Sequence, residues 1–208
     1  MPNVEYRPDF FHRKNVDDAK EVILSAGGGM TTDERWERET DWLMERINFG
    51  SEHDLVIDYG CGIGRLAKRL KNPVIGVDIS QSMRVHADIY VDRVAFGAIT
   101  PQLLKIMHVN GLCVDGVVSA WALQHVLDVA ETIDLLMCML KPGGVFWLLD
   151  LHERHIPCVD AVDGEFLMVD DNMRIAPLIE RWCRLDETHV MDIYDQPPDE
   201  LRKYRRNL

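Results

Sequence analysis

Short apolar runs alternate with amphipathic stretches along most of the chain from about residue 55 onward. Few polar residues interrupt these runs, as is typical of strands that are covered on both faces. Apolar runs separated by helical stretches predict parallel strands joined by crossover helices. The predicted fold class is therefore α/β, a single domain with a doubly wound and mostly parallel sheet. Strands are expected at residues 55–59, 73–78, 93–96, 114–120 and 145–150, with a sixth at 189–194.

Apolar spacing also predicts the helix before the fifth strand. The spacing i, i+3, i+4 and i+7 of one buried helix face is occupied by Ile133, Leu136, Met137 and Leu140. This helix should stop at residues 141–144, Lys-Pro-Gly-Gly, because proline cannot continue the hydrogen-bond ladder and glycine permits the reversal into a strand. A later helix is expected at residues 176–184.

Two helical elements precede the predicted sheet. The first covers residues 16–25 and is followed by three glycines at 27–29, which favour an end to the helix. The second begins at Thr31, which forms a capping-box pattern with Glu34. We expect residues 1–48 to form an appendage that packs on an edge or covers a ligand site, and residues 49–208 to form the domain. The apolar face of the second helix carries Trp36, Leu43 and Ile47, and an aromatic cluster before the first helix comprises Tyr6, Phe10 and Phe11.

Composition and charge exclude several partners. The chain has 208 residues, enough for one core, and its 23 basic and 35 acidic residues give a net charge of −12, which repels phosphate backbones and anionic membranes. No apolar run reaches the ~20 residues of a spanning helix, and the amino terminus has no apolar signal stretch. The five cysteines are scattered without a C-x-x-C pair. We expect a cytoplasmic protein with reduced thiols and with no nucleic-acid or membrane partner, and the oligomeric state stays open.

The most informative segment is a strand that runs into three alternating glycines. Gly60, Gly62 and Gly64 follow the first apolar run, and glycines at a strand-to-helix turn let backbone N–H groups approach a ligand closely. A dinucleotide fingerprint starting at Gly60 would require glycine at position 65, where this chain has Arg65. The predicted site therefore lies at this loop, with a spacing that differs from that of nicotinamide-dependent dehydrogenases.

Two acidic residues end the first and second strands beside this loop. Asp58 would repel a pyrophosphate but can hold an ammonium group, which favours a zwitterionic ligand. Asp78 stands eighteen positions after Gly60, where a carboxylate can accept hydrogen bonds from both hydroxyls of a ribose. Each carboxylate has a simpler alternative role as the cap of the helix that follows it.

Three motifs together carry a family resemblance. They are D-x-G-x-G-x-G from Asp58, the second-strand segment Val74-Ile75-Gly76-Val77-Asp78, and the Leu-Lys-Pro-Gly-Gly turn at 140–144. With them, residues 55–150 closely resemble the class I S-adenosylmethionine-dependent methyltransferases. The resemblance implies a Rossmann-like methyltransferase fold, S-adenosylmethionine as cofactor, and methyl transfer to an oxygen or nitrogen of a small-molecule acceptor.

The resemblance also implies roles for individual residues. Asp58, Gly60, Cys61, Gly62 and Gly64 match the loop that receives the methionine end of the cofactor. The match places Asp78 at the ribose, Ile79 beside the adenine with Ser80 following, and Ser119 and Ala120 near the sulfonium. The loop after the third strand lacks the aspartate that often meets the adenine amino group, so Ile99 is the adenine-site candidate there, and a backbone carbonyl or Thr100 would replace that contact. A closing seventh strand is expected at residues 201–206 unless the sheet keeps an open edge.

Three further candidates have competing interpretations. His125 lies just past the fourth strand and is either a general base or a packing residue at a helix start. Trp36 either stacks on the adenine or packs in the core. His152 and His155 do not form H-E-x-x-H, so no metal is expected. The alternative to an enzyme is a non-catalytic S-adenosylmethionine- or S-adenosylhomocysteine-binding regulatory or scaffolding protein. With the glycines as a hinge, residues 6–47 would form a lid and acceptor wall.

Overall fold

A computed structural model describes residues 12–23, 29–150, 172–191, 193 and 199–208. The aromatic cluster of Tyr6, Phe10 and Phe11, the glycines at 27 and 28, and the histidines at 152 and 155 lie outside the described residues. Within the described ranges, no helix has the length and apolar character needed to cross a membrane.

The described strands form one seven-stranded sheet. In chain order they are β1 (Val56–Tyr59), β2 (Val74–Val77), β3 (Phe96–Ile99), β4 (Val114–Ala120), β5 (Leu140–Asp150), β6 (Cys183–Met191) and β7 (Asp199–Arg206). The spatial order is β3-β2-β1-β4-β5-β7-β6. The first five strands are parallel, and β7 lies antiparallel between β5 and β6. The α/β prediction is confirmed, and so is the seventh strand expected at 201–206.

Several predicted boundaries were wrong. The third strand begins at Phe96 rather than at 93, because residues 94 and 95 form a turn in which the Phe96 N–H donates to the Arg93 carbonyl at 3.2 Å. The sixth strand begins at Cys183 rather than at 189, and it takes the residues where the predicted helix was to end. Much of β6 is exposed, so its sequence is polar and lacks the apolar run on which the prediction relied.

The helices flank the sheet on both faces. They are α1 (Val16–Ile23), α2 (Thr32–Met44), α3 (Gln81–Val91), α4 (Pro101–Val109), α5 (Val129–Met139) and α6 (Asn172–Glu180), with a short 3-10 turn at Leu123–His125. The helix expected directly after the glycine loop is absent from the described structure. Residues 62–69 form successive turns instead, with hydrogen bonds such as Gly64 N–H to the Cys61 carbonyl at 2.8 Å.

Side chains of α2 belong to the core of the sheet. The other face of the sheet is covered by α5 and α6, and the predicted α5 stripe from Ile133 to Leu140 is buried there. On the α2 face, Leu43 and Ile47 are buried with Val56 and Val118, and the Phe49 ring packs over Gly116 of β4. The division at residue 48 stays a prediction, but this packing makes α2 a structural part of the sheet face.

The start of α2 follows its predicted capping box. The Thr31 hydroxyl oxygen accepts from the Glu34 N–H at 3.2 Å, and the Glu34 carboxylate accepts from the Thr31 N–H at 2.8 Å. These reciprocal bonds satisfy two backbone donors that a helix start would otherwise leave open. Helix α2, which packs on this face of the sheet, therefore begins directly after Thr31.

Candidate functional site

The loop after β1 is bound to the end of β2 through its backbone. Gly60 N–H and Cys61 N–H both donate to the Val77 carbonyl, at 2.7 and 3.0 Å. A Cβ on Gly60 would lie 2.1 Å from the Cβ of Ala122, and the φ of Gly60 is +77°. Only glycine combines this backbone conformation with such a close approach. The loop and the segment after β4 therefore meet at the carboxyl edge of the sheet, where ligands of doubly wound sheets bind.

Asp78 holds the middle of the loop. One carboxylate oxygen accepts from the Gly62 N–H at 2.9 Å, and the other accepts from the Ser80 N–H at 2.8 Å. Burial raises the pKa of Asp78, while these two N–H groups and the charge of Arg84 oppose that rise. Ser80, not Asp78, caps α3, because its hydroxyl accepts from the Met83 N–H. Each Asp78 oxygen keeps lone-pair capacity for a hydroxyl donor.

Asp58 is enclosed behind the same loop. Burial, followed by the nearby charge of Asp78, raises the pKa of Asp58 to about 7, although a hydrogen bond from the Ala67 backbone opposes the rise. The side chain is 3% exposed, and its Oδ2 has no hydrogen-bond partner among the described residues. A buried carboxyl oxygen without a donor is costly, so the position suits a ligand that brings a positive charge or an N–H group.

Apolar side chains border the loop on the β2 and β3 side. Ile79, the second residue after β2, is 43% exposed, and Ile99 is half-buried at the end of β3. The Thr100 hydroxyl oxygen accepts from the Leu103 N–H at 3.1 Å, so Thr100 is the N-cap of α4. The structure thus offers two aliphatic side chains at strand ends, where a flat apolar ring can lie.

The opposite side of the loop is formed by the end of β4. Ser119 is fully buried, and its hydroxyl oxygen has no hydrogen-bond partner among the described residues. Trp121 follows with a φ of +52°, a conformation that is strained for a large side chain. Its backbone N–H donates to the Leu149 carbonyl at 2.6 Å, and its indole N–H donates to Asp199 of β7 at 2.9 Å. Sequence reasoning missed Trp121 and Asp199.

Comparisons with known proteins show that this part of the chain is similar to methyltransferases. Residues 57–148 match the family model described as a methyltransferase domain. The chain is 33% identical over 147 residues to the demethylmenaquinone methyltransferase of Symbiobacterium thermophilum, a match that covers 64% of this chain and 53% of that protein. Residues 57–148 are thus similar to a methyltransferase domain. The chain spans about half the length of the curated relative.

Solved structures of methyltransferases share the fold. The N-methyltransferase NodS of Bradyrhizobium japonicum in complex with S-adenosylhomocysteine has a TM-score of 0.67 at 15% identity, covering 91% of this chain and 97% of that one. Magnesium protoporphyrin IX methyltransferase of Synechocystis with bound S-adenosylmethionine has a TM-score of 0.66 at 17% identity, covering 96% and 95%. The [4+2]-cyclase SpnF also scores 0.66, at 13% identity, covering 89% and 86%. The fold alone therefore does not specify the reaction, although two of these similar structures hold S-adenosylhomocysteine or S-adenosylmethionine.

The remaining candidate residues lie at the margins of the loop. His125 is half-buried at the end of the 3-10 turn, with its Nε2 3.1 Å from the Gln124 amide nitrogen. Trp36 is 2% exposed and packs with Ala19 and Met83. Within the described residues, no group of three or more metal-ligating side chains is placed to hold an ion.

Helix α1 lies directly over the glycine loop. The Cδ1 atom of Ile23 is 3.0 Å from the position that a Cβ on Gly62 would occupy. Just before α1, the Arg13 N–H donates to the Ser82 hydroxyl at 2.8 Å, and the Arg13 carbonyl is 3.3 Å from the Nε2 of His86. The segment is therefore attached to α3 at one end and covers the glycines at the other.

Proposed function

We propose that this chain transfers the sulfonium methyl group of S-adenosylmethionine to an oxygen or nitrogen atom of a small-molecule acceptor in the cytoplasm. The observation that carries the proposal is the pairing of two carboxylates with one glycine loop. Asp78 binds the Gly62 N–H, and Asp58 keeps a buried oxygen without a donor. S-adenosylmethionine carries both an ammonium group and ribose hydroxyls, which match these two acids.

Each site residue has a proposed place around the cofactor. Asp58 holds the ammonium group, and Asp78 accepts hydrogen bonds from the ribose hydroxyls. The aliphatic ends of β2 and β3 cover the adenine, and the end of β4 lies beside the sulfonium. The full proposed set is Asp58, Gly60, Cys61, Gly62, Gly64, Asp78, Ile79, Ser80, Ile99, Ser119 and Ala120, with His125 as the candidate general base. Trp36 supports the loop, because its ring packs in a buried cluster with Ile63.

We expect most of the rate enhancement to come from the positioning of the acceptor atom relative to the methyl group. The bound cofactor supplies an electrophilic methyl group on a good leaving group, so the reaction is an in-line displacement. The protein has to hold the acceptor atom in line with that methyl and exclude water. Trp121, which is bonded at both its backbone and its indole N–H, gives the acceptor side a fixed wall. His125 would take the proton of an acceptor hydroxyl or ammonium.

Melting experiments with two ligands test the cofactor assignment. A ligand that binds only the folded chain stabilises it by mass action, so S-adenosylhomocysteine should raise the melting temperature. NAD should leave it unchanged, because the dinucleotide loop spacing is absent and Asp58 repels a pyrophosphate. Tighter binding of NAD than of S-adenosylhomocysteine in calorimetric titrations would refute the assignment.

Transfer of labelled methyl groups separates an enzyme from a non-catalytic binding protein. The acceptors to screen include magnesium protoporphyrin IX, which the name of a similar protein specifies, together with small amines and phenols. We expect label to appear in at least one small molecule from cell extract. Tight S-adenosylhomocysteine binding with no labelled product from any extract would favour the regulatory alternative.

A further inference from the structure

We propose that Arg65 is a positioning residue for the cofactor loop, which it fastens to α2 and to Trp121 through one buried guanidinium. The inference rests on the cofactor site proposed above. It adds that the affinity of this site depends on a helix whose residues have no proposed contact with the cofactor.

Three hydrogen bonds join the guanidinium of Arg65 to α2. Its Nε donates to the Thr40 hydroxyl at 2.7 Å, and its Nη2 donates to the Trp36 carbonyl and to a Glu39 carboxylate oxygen, both at 3.1 Å. Arg65 is 6% exposed and Glu39 is fully buried. Because Arg65 directly follows Gly64, its backbone belongs to the loop while its side chain is anchored in the helix.

Two indole rings border the same guanidinium. The central carbon of the Arg65 guanidinium is 4.7 Å from the ring centroid of Trp36 and 5.5 Å from that of Trp121. Planar guanidinium groups stack favourably on aromatic faces. Trp121 lies at the other side of the proposed site, beyond β4, and holds a strained backbone conformation. Arg65 therefore contacts both Trp36, which supports the cofactor loop, and Trp121, which forms the wall of the proposed site on the acceptor side.

A second arginine of the same segment provides a matched control. Arg69 also reaches α2, where its guanidinium pairs with Asp41 at 2.5 Å and with Glu37 at 3.4 Å. Its side chain is 41% exposed, and its partners are 58% and 63% exposed. Arg69→Gln removes a surface connection between the same two parts of the chain without opening the buried cluster.

Arg65→Lys separates positioning from stability. Lysine keeps the positive charge beside Glu39, but its single nitrogen cannot reach the spread of acceptors that the guanidinium fork binds. We expect Arg65→Lys to fold with a melting temperature well above that of Arg65→Gln, and yet to bind S-adenosylhomocysteine at least tenfold more weakly than the wild type. Arg69→Gln should bind within twofold of the wild type.

Isothermal titration with S-adenosylhomocysteine decides the matter, with far-ultraviolet circular dichroism to establish folding. Arg65→Gln that does not fold leaves the decision to Arg65→Lys. Wild-type affinity in folded Arg65→Lys overturns the inference, and so does an equal loss of affinity in Arg69→Gln. A wild-type protein that fails to bind S-adenosylhomocysteine overturns the proposed cofactor site, and the inference with it.

Tryptophan emission provides a second readout. Binding of S-adenosylhomocysteine next to Trp121 should change the indole emission of the wild type, and Trp121→Phe should remove most of that change. Saturated Arg65→Lys should show a clearly smaller change than saturated wild type, because its Trp121 ring has lost the guanidinium that borders it. An unchanged spectral response in Arg65→Lys contradicts the link to Trp121.

Discussion

Asp58 lies near the end of β1 and Asp78 directly follows the neighbouring strand β2, so the charge of Asp78 opposes ionisation of the buried Asp58. The folded chain holds the Asp58 proton up to a pH of about 7, whereas an unfolded aspartate releases it near pH 3.9. Between these values the folded state binds more protons than the unfolded state. Stability from this group is therefore highest at low pH and is lost as the pH rises toward 7.

The free protein should consequently lose stability between pH 5 and pH 8. The pKa of Asp58 predicts a fall in the free energy of unfolding on the order of 2–3 kcal/mol over this interval. Urea denaturation at several pH values measures it, and the difference between wild type and Asp58→Asn isolates this group from the other titrating groups. Parallel pH profiles for the two proteins would show that Asp58 ionises normally.

Asp78→Ala should weaken S-adenosylhomocysteine binding by about 1–3 kcal/mol, because a charged acceptor for the ribose and the bond to the Gly62 N–H are lost together. The matched control is Asp88→Ala. Asp88 is also hydrogen-bonded to a backbone N–H, that of Ala98 at 3.1 Å, but it is exposed on α3. Calorimetry on both variants gives the comparison, and equal affinities would remove Asp78 from the site.

At the residue scale, the sequence predicted groups that are tied to a short motif. Asp58, Asp78 and the glycines follow from strand ends and spacing, which neighbouring residues determine. Trp121 and Asp199 could not be predicted, because their hydrogen bond joins residues 78 positions apart and depends on a positive φ at a tryptophan. No local pattern of side chains predicts either the hydrogen bond or the positive φ.

Among the elements, predictability followed burial for most strands, although the interior strand β5 begins at Leu140, five residues before its predicted start. The strands β1, β2 and β4 lie inside the sheet, and their apolar runs predicted them to within a residue or two. The two edge strands were misplaced, β3 by three residues at its start and β6 by six. An edge strand has a neighbour on one side only, so fewer of its residues need to be apolar. The turns at 62–69 were predicted as a helix because a glycine loop after a strand usually leads into one.

Gly116→Ala tests whether the connection from α2 is a fixed part of the core. The added Cβ would lie 2.2 Å from the ring of Phe49, which is 6% exposed. We expect a loss of about 1–3 kcal/mol in the free energy of unfolding, because overpacking displaces a buried ring. Gly97→Ala in β3 is the control, since a Cβ there meets nothing within 4 Å. Equal stability of the two variants in urea would mean that Phe49 moves away freely.

At the scale of the whole molecule, the two amino-terminal helices have different structural roles. Side chains of α2 are buried in the sheet core, whereas α1 is eight residues long and lies over the glycine loop. A helix of this length is marginal without tertiary contacts. We therefore confine the predicted lid to the part of the chain before α2.

Hydrogen exchange should separate these two helices. Amides of α1 should exchange fast in the free protein and more slowly with S-adenosylhomocysteine, because the ligand would order the glycine loop against which Ile23 packs. Amides of α2 and β1 should stay protected in both states. Equal protection of α1 with and without ligand would make it a packing element, and ligand-dependent protection of α2 would extend the lid to residue 47.

The position of β7 between β5 and β6 affects how the chain is made. A ribosome that adds roughly 5–20 residues per second delivers both neighbours before the strand that joins them. Until Asp199–Arg206 is synthesised, the nascent protein presents unpaired backbone on β5 and β6. Newly made chains should therefore pass through a state that is prone to aggregation or to binding by chaperones. This state ends when β7 pairs with β5 and β6.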